Sequence, residues 1–213
     1  YSLFAQYAEG YRPPNFNESN QAFANLAYRY AVVPNPDIRA ETSKSFEFGL
    51  RADYENAYLS VSAFRNSYKD FISSNYIGRS GAVSLYQNQN IDDVEIHGAE
   101  ATAFLYFGES WRMRSSIAYA MGRDQETSQH LDSVDPVNLV NSLRYDSTSG
   151  NWGAELFWTV VADKTKVSSD SVTGADGYQV LDAVVDLRIG DSLSVRAGVF
   201  NIFDEEYARW QSI

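Results

Sequence analysis

The chain has 213 residues, no cysteine, 15% aromatic side chains and a formal net charge of -11. Without cysteine it can form neither disulfides nor thiolate metal sites, and so acidic a chain lacks the basic surface that nucleic-acid phosphates require. No run of 18 apolar residues occurs, which excludes a membrane-spanning helix.

Read in chain order, stretches of about ten residues alternate apolar and polar side chains and are joined alternately by long and short connections. The first stretch, near 1–11, opens directly with Tyr1-Ser2-Leu3-Phe4-Ala5, with no basic segment or cleavage site before it. A long polar loop, 12–42, follows, then a strand near 42–54 with Phe46, Phe48, Leu50 and Ala52 on one face and Glu47, Gly49, Arg51 and Asp53 on the other. After the short turn Tyr54-Glu55-Asn56 come a strand near 57–72, a long loop 73–90 and a strand near 90–107.

Past the turn Gly108-Glu109-Ser110, the strand 111–122 sets Trp111, Met113, Ile117, Tyr119 and Met121 against Arg112, Arg114 and Ser116. The loop 122–136 leads to a strand near 137–146, and the short turn 147–151 to one near 152–163, where Trp152, Ala154, Leu156, Trp158 and Val160 oppose Gly153, Glu155 and Thr159. Beyond the loop 163–177, Leu181, Ala183, Val185, Leu187 and Ile189 oppose Asp182, Asp186 and Arg188 in a strand near 178–189. The turn Gly190-Asp191-Ser192 then leads to a strand near 193–204, in which Leu193, Val195, Ala197 and Val199 oppose Ser194 and Arg196.

About nine strands with one apolar and one polar face, trimmed turns at one end and long loops at the other, predict a transmembrane antiparallel β-barrel wall, all-β in class. A soluble sandwich is the competing fold, but its core could not hold inward pairs such as Arg112 and Arg114 cheaply. Tyr58, Trp111, Tyr145 and Trp152 stand beside short turns, and Tyr11, Tyr68, Tyr119, Trp158 and Tyr178 toward the long loops, as two interfacial girdles would require. Single-chain bacterial barrels have an even number of strands, so an odd count ending at Gln211-Ser212-Ile213 implies a missing closing strand and an interior piece of a longer polypeptide.

Four motifs occur in a fixed order. Tyr7 to Pro14 with Asn35-Pro36-Asp37-Ile38-Arg39-Ala40-Glu41-Thr42-Ser43 resembles the loop of TonB-dependent outer-membrane receptors that carries the "FRAP" and "NPNL" boxes in the haem and haemoglobin group. Gln87-Asn88-Gln89-Asn90, then Ile96-His97-Gly98-Ala99-Glu100, resembles that family's strand with a Gly-x-Glu signature, and Asn201-Ile202-Phe203-Asp204-Glu205-Glu206-Tyr207 its "NLFD-x-x-Y" ending. The resemblance implies a 22-stranded barrel of which residues 1–213 are the C-terminal part, with the plug, the first barrel half and the last strand outside the chain. It also implies an outer membrane location in a Gram-negative cell, with the long loops facing outside.

The implied function is TonB-dependent import of an iron-bearing ligand, haem or haem from haemoglobin. No cofactor is bound permanently, and haem or a ferric chelate is the cargo. The implied partners are the TonB system acting through the plug, an extracellular ligand such as a host haem protein, and outer-membrane lipid and lipopolysaccharide. The haem group places a histidine between its two boxes, whereas none lies between Pro14 and Asn35, which keeps a ferric siderophore or other metal chelate open as cargo. A passive porin or a surface adhesin is the reading from another class.

Candidate ligand-binding residues are Arg12, Asn35 and Asp37 of the boxes, Tyr28 and Tyr30, whose phenolates could ligate haem iron, and His130 in the acidic loop. His97 shares parity with Ala99 and Ala101 and is expected to face lipid or headgroups. Glu100 and Arg51 are expected in a lumenal polar network, and Gly98 and Gly198 where strands bend or approach closely. Asp124, Glu126, Asp132 and Asp135 match no calcium-loop template and read as solvated. No nucleophile elbow, phosphate loop or metal-binding helix occurs, so the chain is not expected to be an enzyme.

Overall fold

The computed structural model describes residues 1–169, 172, 174–190 and 192–210, without the side chain of residue 92. The turn Gly190-Asp191-Ser192, the loop 163–177 and the ending Gln211-Ser212-Ile213 therefore lie wholly or partly outside the described residues. The strands are β1 (Ser2–Arg12), β2 (Phe23–Asn25), β3 (Tyr30–Val33), β4 (Glu41–Tyr54), β5 (Ala57–Ser80), β6 (Val83–Phe107), β7 (Trp111–Asp124), β8 (Asn138–Asp146), β9 (Trp152–Val161), β10 (Tyr178–Ile189) and β11 (Leu193–Val199). One short helix, α1 (Phe16–Asn20), follows β1.

Nine strands form one continuous antiparallel wall in the order β1-β4-β5-β6-β7-β8-β9-β10-β11. This is a barrel wall seen in part, and it bears out the predicted nine strands. The register stacks the predicted apolar faces: Leu3 opposes Leu50, Leu50 opposes Val61, Val61 opposes Ala101, and Ala101 opposes Ile117. Phe46 and Phe48, 58% and 59% exposed, lie on this outer face, which has no protein to pack against and is built for lipid. Phe46 to Tyr54 of β4 spans the ~9 residues that a tilted strand needs to cross the hydrocarbon layer.

Trp111, Tyr145 and Trp152 form an aromatic row beside the short turns, with ring centroids 4.9 and 5.1 Å apart. Three rings expected in the girdles belong to the inner face instead. Tyr58 pairs with Phe104, Tyr68 packs against Phe71 and Val94, and Tyr178 stacks on Tyr207 with centroids 4.2 Å apart. Their parity explains this, since Tyr58 and Tyr68 are in step with the inward Ser60, Ser62 and Asn66. Being near a strand end is not enough to make a girdle residue.

The largest departure concerns 73–90, expected as a loop. Instead, β5 and β6 continue as a hairpin to a turn at Gly81 and Ala82, with Tyr76 opposite Tyr86 and a bulge between Tyr76 and Gly78. Above the membrane both faces of a strand meet water, so Ser73, Asn75, Gln87 and Gln89 can be polar without breaking it. The alternation that reveals a half-buried strand is lost there. The hairpin's upper 11 residues, beyond Lys69, extend about 36 Å along the strand at ~3.3 Å per residue.

Candidate functional site: the outer loop platform

All the long connections leave from the same end of the wall, and that end is organised around the tall hairpin. β7 leaves β6 at Val94, and higher up the edge it vacates is occupied by β3, which runs parallel to β6 with Tyr30 opposite Ser84 and Val33 opposite Gln87. With β2 paired to β3, the loop 12–42 adds two short strands to the hairpin, making a four-stranded blade.

Between the two pairings, side chains of the 87–90 motif take over from the backbone ladder. Gln87 Nε2 donates to Pro34 O at 2.9 Å, Asn88 Nδ2 to Glu18 O at 3.1 Å, and Asn35 Nδ2 to Asn88 O at 2.8 Å. Asn90 imitates a strand neighbour: its Oδ1 accepts from the Arg39 amide at 2.8 Å while its Nδ2 donates to Arg39 O at 2.9 Å and Asp70 O at 2.7 Å. The first and second sequence motifs are thus two halves of one seam. Neither motif, read alone, contained that pairing.

Arg12 anchors the other end of the loop. Its Nε and Nη2 donate to Glu41 at 2.6 and 3.0 Å, and its Nη1 to both oxygens of Glu18 at 2.9 and 3.0 Å. Glu18 in turn closes a capping box with Asn15 at the start of α1. Glu41 is buried and also accepts from the Ile72 amide at 3.1 Å. Burial pushes its carboxyl pKa up, but the hydrogen bonds from Arg12 and Ile72 outweigh this and hold it below the ordinary value.

A depressed carboxylate contributes stability that is present above its unfolded pKa and is lost as pH falls through the folded one. The anchor should therefore hold at neutral pH and loosen once pH drops below the ordinary carboxylate range. Glu41→Gln, which removes one partner of a charge-assisted pair, is expected to raise protease cutting within 12–41 roughly tenfold at neutral pH. Limited proteolysis of intact cells measures it, and an unchanged cutting rate would contradict the anchoring role.

The remaining candidates are distributed as follows. Asn35 Oδ1 accepts from the Asp37 amide at 3.2 Å, and Asp37 itself is exposed. Tyr28 is 80% exposed in the turn before β3, and Tyr30 lies half-buried with its ring 5.9 Å from Phe23. Both tyrosines, with Arg29, Tyr86, Ser74 and Ser84, line a cleft of about 460 Å³ on the blade. Arg12 and Asn35 thus hold the loop, whereas Tyr28 and Tyr30 stand where a ligand could touch them. Leu26, 72% exposed, and Tyr76, 56% exposed, extend the apolar surface.

His130 is not part of this platform. It forms an isolated backbone β-bridge with Arg123, and its Nδ1 is buried with no hydrogen-bond partner among the described residues. Loss of solvent lowers its pKa, and Arg123 and Lys166 lower it further, so the ring is neutral at physiological pH. The surrounding loop forms an inner roof, with Leu131 and Val134 closing over Val94. The buried Lys164 donates to Val134 O at 2.5 Å, and Trp210 Nε1 donates to Asp132 O at 2.5 Å. Asp132 accepts from the Ser168 amide and hydroxyl, and Asp124 from the amides of Glu126 and Thr127, so these two carboxylates stabilise the loops. In the fourth motif, Asn201 Oδ1 accepts from the Glu205 amide at 2.9 Å while Asn201 Nδ2 donates to Glu205 O at 3.0 Å.

Below the loops the inner wall carries a charge network that sequence parity assigned to the lumen only in outline. Arg144 donates to both oxygens of Asp186 at 2.8 and 3.2 Å and to Asp146 at 2.9 Å, with Glu155 at 3.7 Å; Arg112 reaches Asp146 at 2.5 Å. Gly153 makes the space, since a Cβ there would stand 2.6 Å from Arg144 Nη2. His97 lies on the outer face, as expected, 3.7 Å from Glu95.

A family model described as "TonB dependent receptor-like, beta-barrel" matches residues 1–202. Hemoglobin-haptoglobin utilization protein B of Neisseria meningitidis serogroup C is 25% identical over 99% of this chain and 30% of its own length. A hemoglobin and hemoglobin-haptoglobin-binding protein of Haemophilus ducreyi is 24% identical over 98% of this chain and 26% of its own. The chain thus spans less than a third of these relatives.

Among solved structures, the copper transporter OprC superposes with a TM-score of 0.84 at 24% identity, covering 97% of this chain and 32% of that one. A ferric enterobactin receptor of Pseudomonas aeruginosa does so at 0.74 and 22%, covering 99% and 34%. At these identities the two structures establish the fold alone. The nine-stranded wall and the match over residues 1–202 together establish that this chain belongs to the TonB-dependent receptor β-barrel family, an outer-membrane family of transport receptors.

Proposed function

We propose that residues 1–213 are the C-terminal part of a receptor barrel that imports an iron-bearing ligand, haem or haem taken from haemoglobin, across the outer membrane. The TonB system drives transport through a plug domain carried elsewhere in the polypeptide. The carrying observation is that the blade sits on a chain covered almost end to end by haemoglobin and haemoglobin-haptoglobin relatives and carries exposed rings, Tyr28 foremost, on a hairpin that runs about 36 Å along its strands beyond the wall. Large rings exposed above the membrane are suited to a protein surface or to the flat face of haem. The long loops face outside the cell, the apolar face meets lipid and lipopolysaccharide, and the polar face lines the lumen.

Tyr28 and Tyr30 contact the ligand in this account, with Asp37 at the rim and Arg12 and Asn35 holding the loop in place. The second reading is a receptor for a ferric siderophore or other chelate. It is favoured by the lack of any histidine between Pro14 and Asn35.

Capture of haemoglobin and of a ferric siderophore by cells displaying the complete receptor separates the two readings. Haemoglobin capture is expected, and Tyr28→Phe with Tyr30→Phe should weaken haem binding about tenfold where a phenolate ligates iron. Capture of the siderophore alone overturns the haem reading, and undiminished haem affinity in the double variant removes both tyrosines from the site.

A further inference from the structure

The cleft occupies one face of the blade, and the strand register places two further side chains on that face. Across β3, β6 and β5, Tyr30, Ser84 and Arg79 stand in one row, and Val32, Tyr86 and Tyr76 in the next. Residues directly opposite one another share a face of a sheet. Arg79 and Tyr76 therefore extend the surface on which Tyr30, Val32, Ser84 and Tyr86 line the cleft. The rings of Tyr76 and Tyr86 meet edge to face with centroids 5.8 Å apart.

Arg29 closes the other end of the first row. Its φ is 54°, in the left-handed region that a bulky residue rarely adopts. The backbone is fixed there from both sides: the Arg29 amide donates to Leu26 O at 3.3 Å, and its carbonyl accepts from the Ser84 amide at 2.8 Å. Asn25 Oδ1 accepts from the Tyr28 amide at 3.3 Å and ties down the same turn. A strained position held at the rim of a cleft points to a side chain kept for use.

Tyr30 and Arg79 are two strand spacings apart, about 10 Å at the backbone. Arg29 and Arg79 thus flank a floor of tyrosine rings and a serine hydroxyl. Both are exposed, and neither guanidinium has a hydrogen-bond or ion-pair partner among the described residues. No carboxylate among the described residues lines the cleft. In the seam below it, Glu18 is held by Arg12 at 2.9 Å and Asp70 by Arg39 at 2.5 Å. The rings offer a stacking surface, and a guanidinium fork matches the geometry of a carboxylate. A neutral flat ligand would use only the rings and a simple anion only the arginines, so the pair together fits one molecule that is both flat and carboxylate-bearing.

We propose that Arg29 and Arg79 clamp the carboxylates of a planar aromatic macrocycle lying against Tyr30, Tyr76 and Tyr86, which makes the cleft selective for the acid form of its ligand. The clamp rests on the reading of this cleft as the haem-contacting surface, haem bearing two propionate carboxylates, but it does not require Tyr28 or Tyr30 to ligate iron.

The test titrates the complete receptor in detergent with iron-free protoporphyrin IX and with its dimethyl ester, followed by porphyrin fluorescence. Without iron, phenolate ligation drops out and only stacking and the clamp remain. Arg29→Gln with Arg79→Gln should weaken binding of the diacid about thirtyfold and leave the diester unchanged. Arg29→Lys with Arg79→Lys should recover part of the loss, since an ammonium keeps the charge but not the fork. Lys69→Gln, the same charge change outside the blade, should alter neither. Undiminished diacid binding in the double glutamine variant overturns the clamp while the haem reading stands. Equal weakening of both forms overturns it as well, because loss of a purely structural prop would do that. Failure of the unmodified receptor to bind either porphyrin overturns the cleft as a porphyrin surface and the clamp with it.

Discussion

Gly98→Val is expected to remove the folded receptor from the outer membrane almost entirely. Gly98 lies in β6 between β5 and β7, and a Cβ there would run into the Tyr119 carbonyl oxygen and stand 2.6 Å from Phe64 Cζ. The phenyl ring can swing aside, but the carbonyl belongs to the neighbouring strand's backbone and cannot move without breaking the ladder. Overpacking of this kind costs about 3 kcal/mol or more, and it falls in the middle of a wall whose unpaired backbone has no water to turn to. Gly108→Ala is the control: Gly108 has a φ of 60° but nothing within 4 Å of a built Cβ, so only about 1 kcal/mol of backbone strain is expected. The measured quantity is heat-modifiable receptor in isolated outer membranes. Normal levels of Gly98→Val would show that β6 and β7 do not approach there as described.

Arg144→Leu should lower the thermal unfolding midpoint of the barrel in detergent by several degrees. The substitution leaves Asp146, Glu155 and Asp186 facing one another, with Arg112 reaching only Asp146 and Arg196 standing across the ladder from Asp186 without a direct ion pair among the described residues. Exposed ion pairs contribute about 0–1 kcal/mol and buried ones cost about 3–5 when one partner is removed. A lumenal network with Arg144 at 19% side-chain exposure lies between these, near 2 kcal/mol. Arg144→Lys should recover only part of the loss, because an ammonium cannot make the forked contacts to Asp186 and Asp146 together. An unshifted midpoint for Arg144→Leu would mean that the inner-wall network does not stabilise the barrel.

What was legible in the sequence follows the solvent boundary. Where one face meets lipid and the other a polar lumen, period two is forced on the chain, and β4, β7, β9, β10 and β11 could be read residue by residue. Where both faces meet water, that constraint vanishes, which is why the upper halves of β5 and β6 read as a loop. Parity also held more information than position along the strand. Tyr58 and Tyr68 were in step with inward serines throughout, and only their nearness to strand ends suggested the girdles.

The site was legible in part, for a different reason. Motif residues are found by type and spacing, but what Asn35 and Asn90 do depends on segments 53 and 51 residues apart meeting at one edge, and no local pattern encodes that. Tyr76 and Tyr86, which widen the aromatic surface, were hidden in the supposed loop. Gly153 could be placed on the polar face, but the reason for a glycine there, the bulky Arg144 on the neighbouring strand, lies outside any local pattern.

The most direct test of the whole account is growth of an iron-starved strain that depends on the complete receptor, with haemoglobin as the sole iron source, in the presence and absence of TonB. Growth only when TonB is present is the predicted result. Growth without TonB would point to a passive pore, and capture of haemoglobin without growth to an adhesin. Failure on haem and haemoglobin with growth on a ferric siderophore would contradict the assigned cargo while leaving the barrel intact.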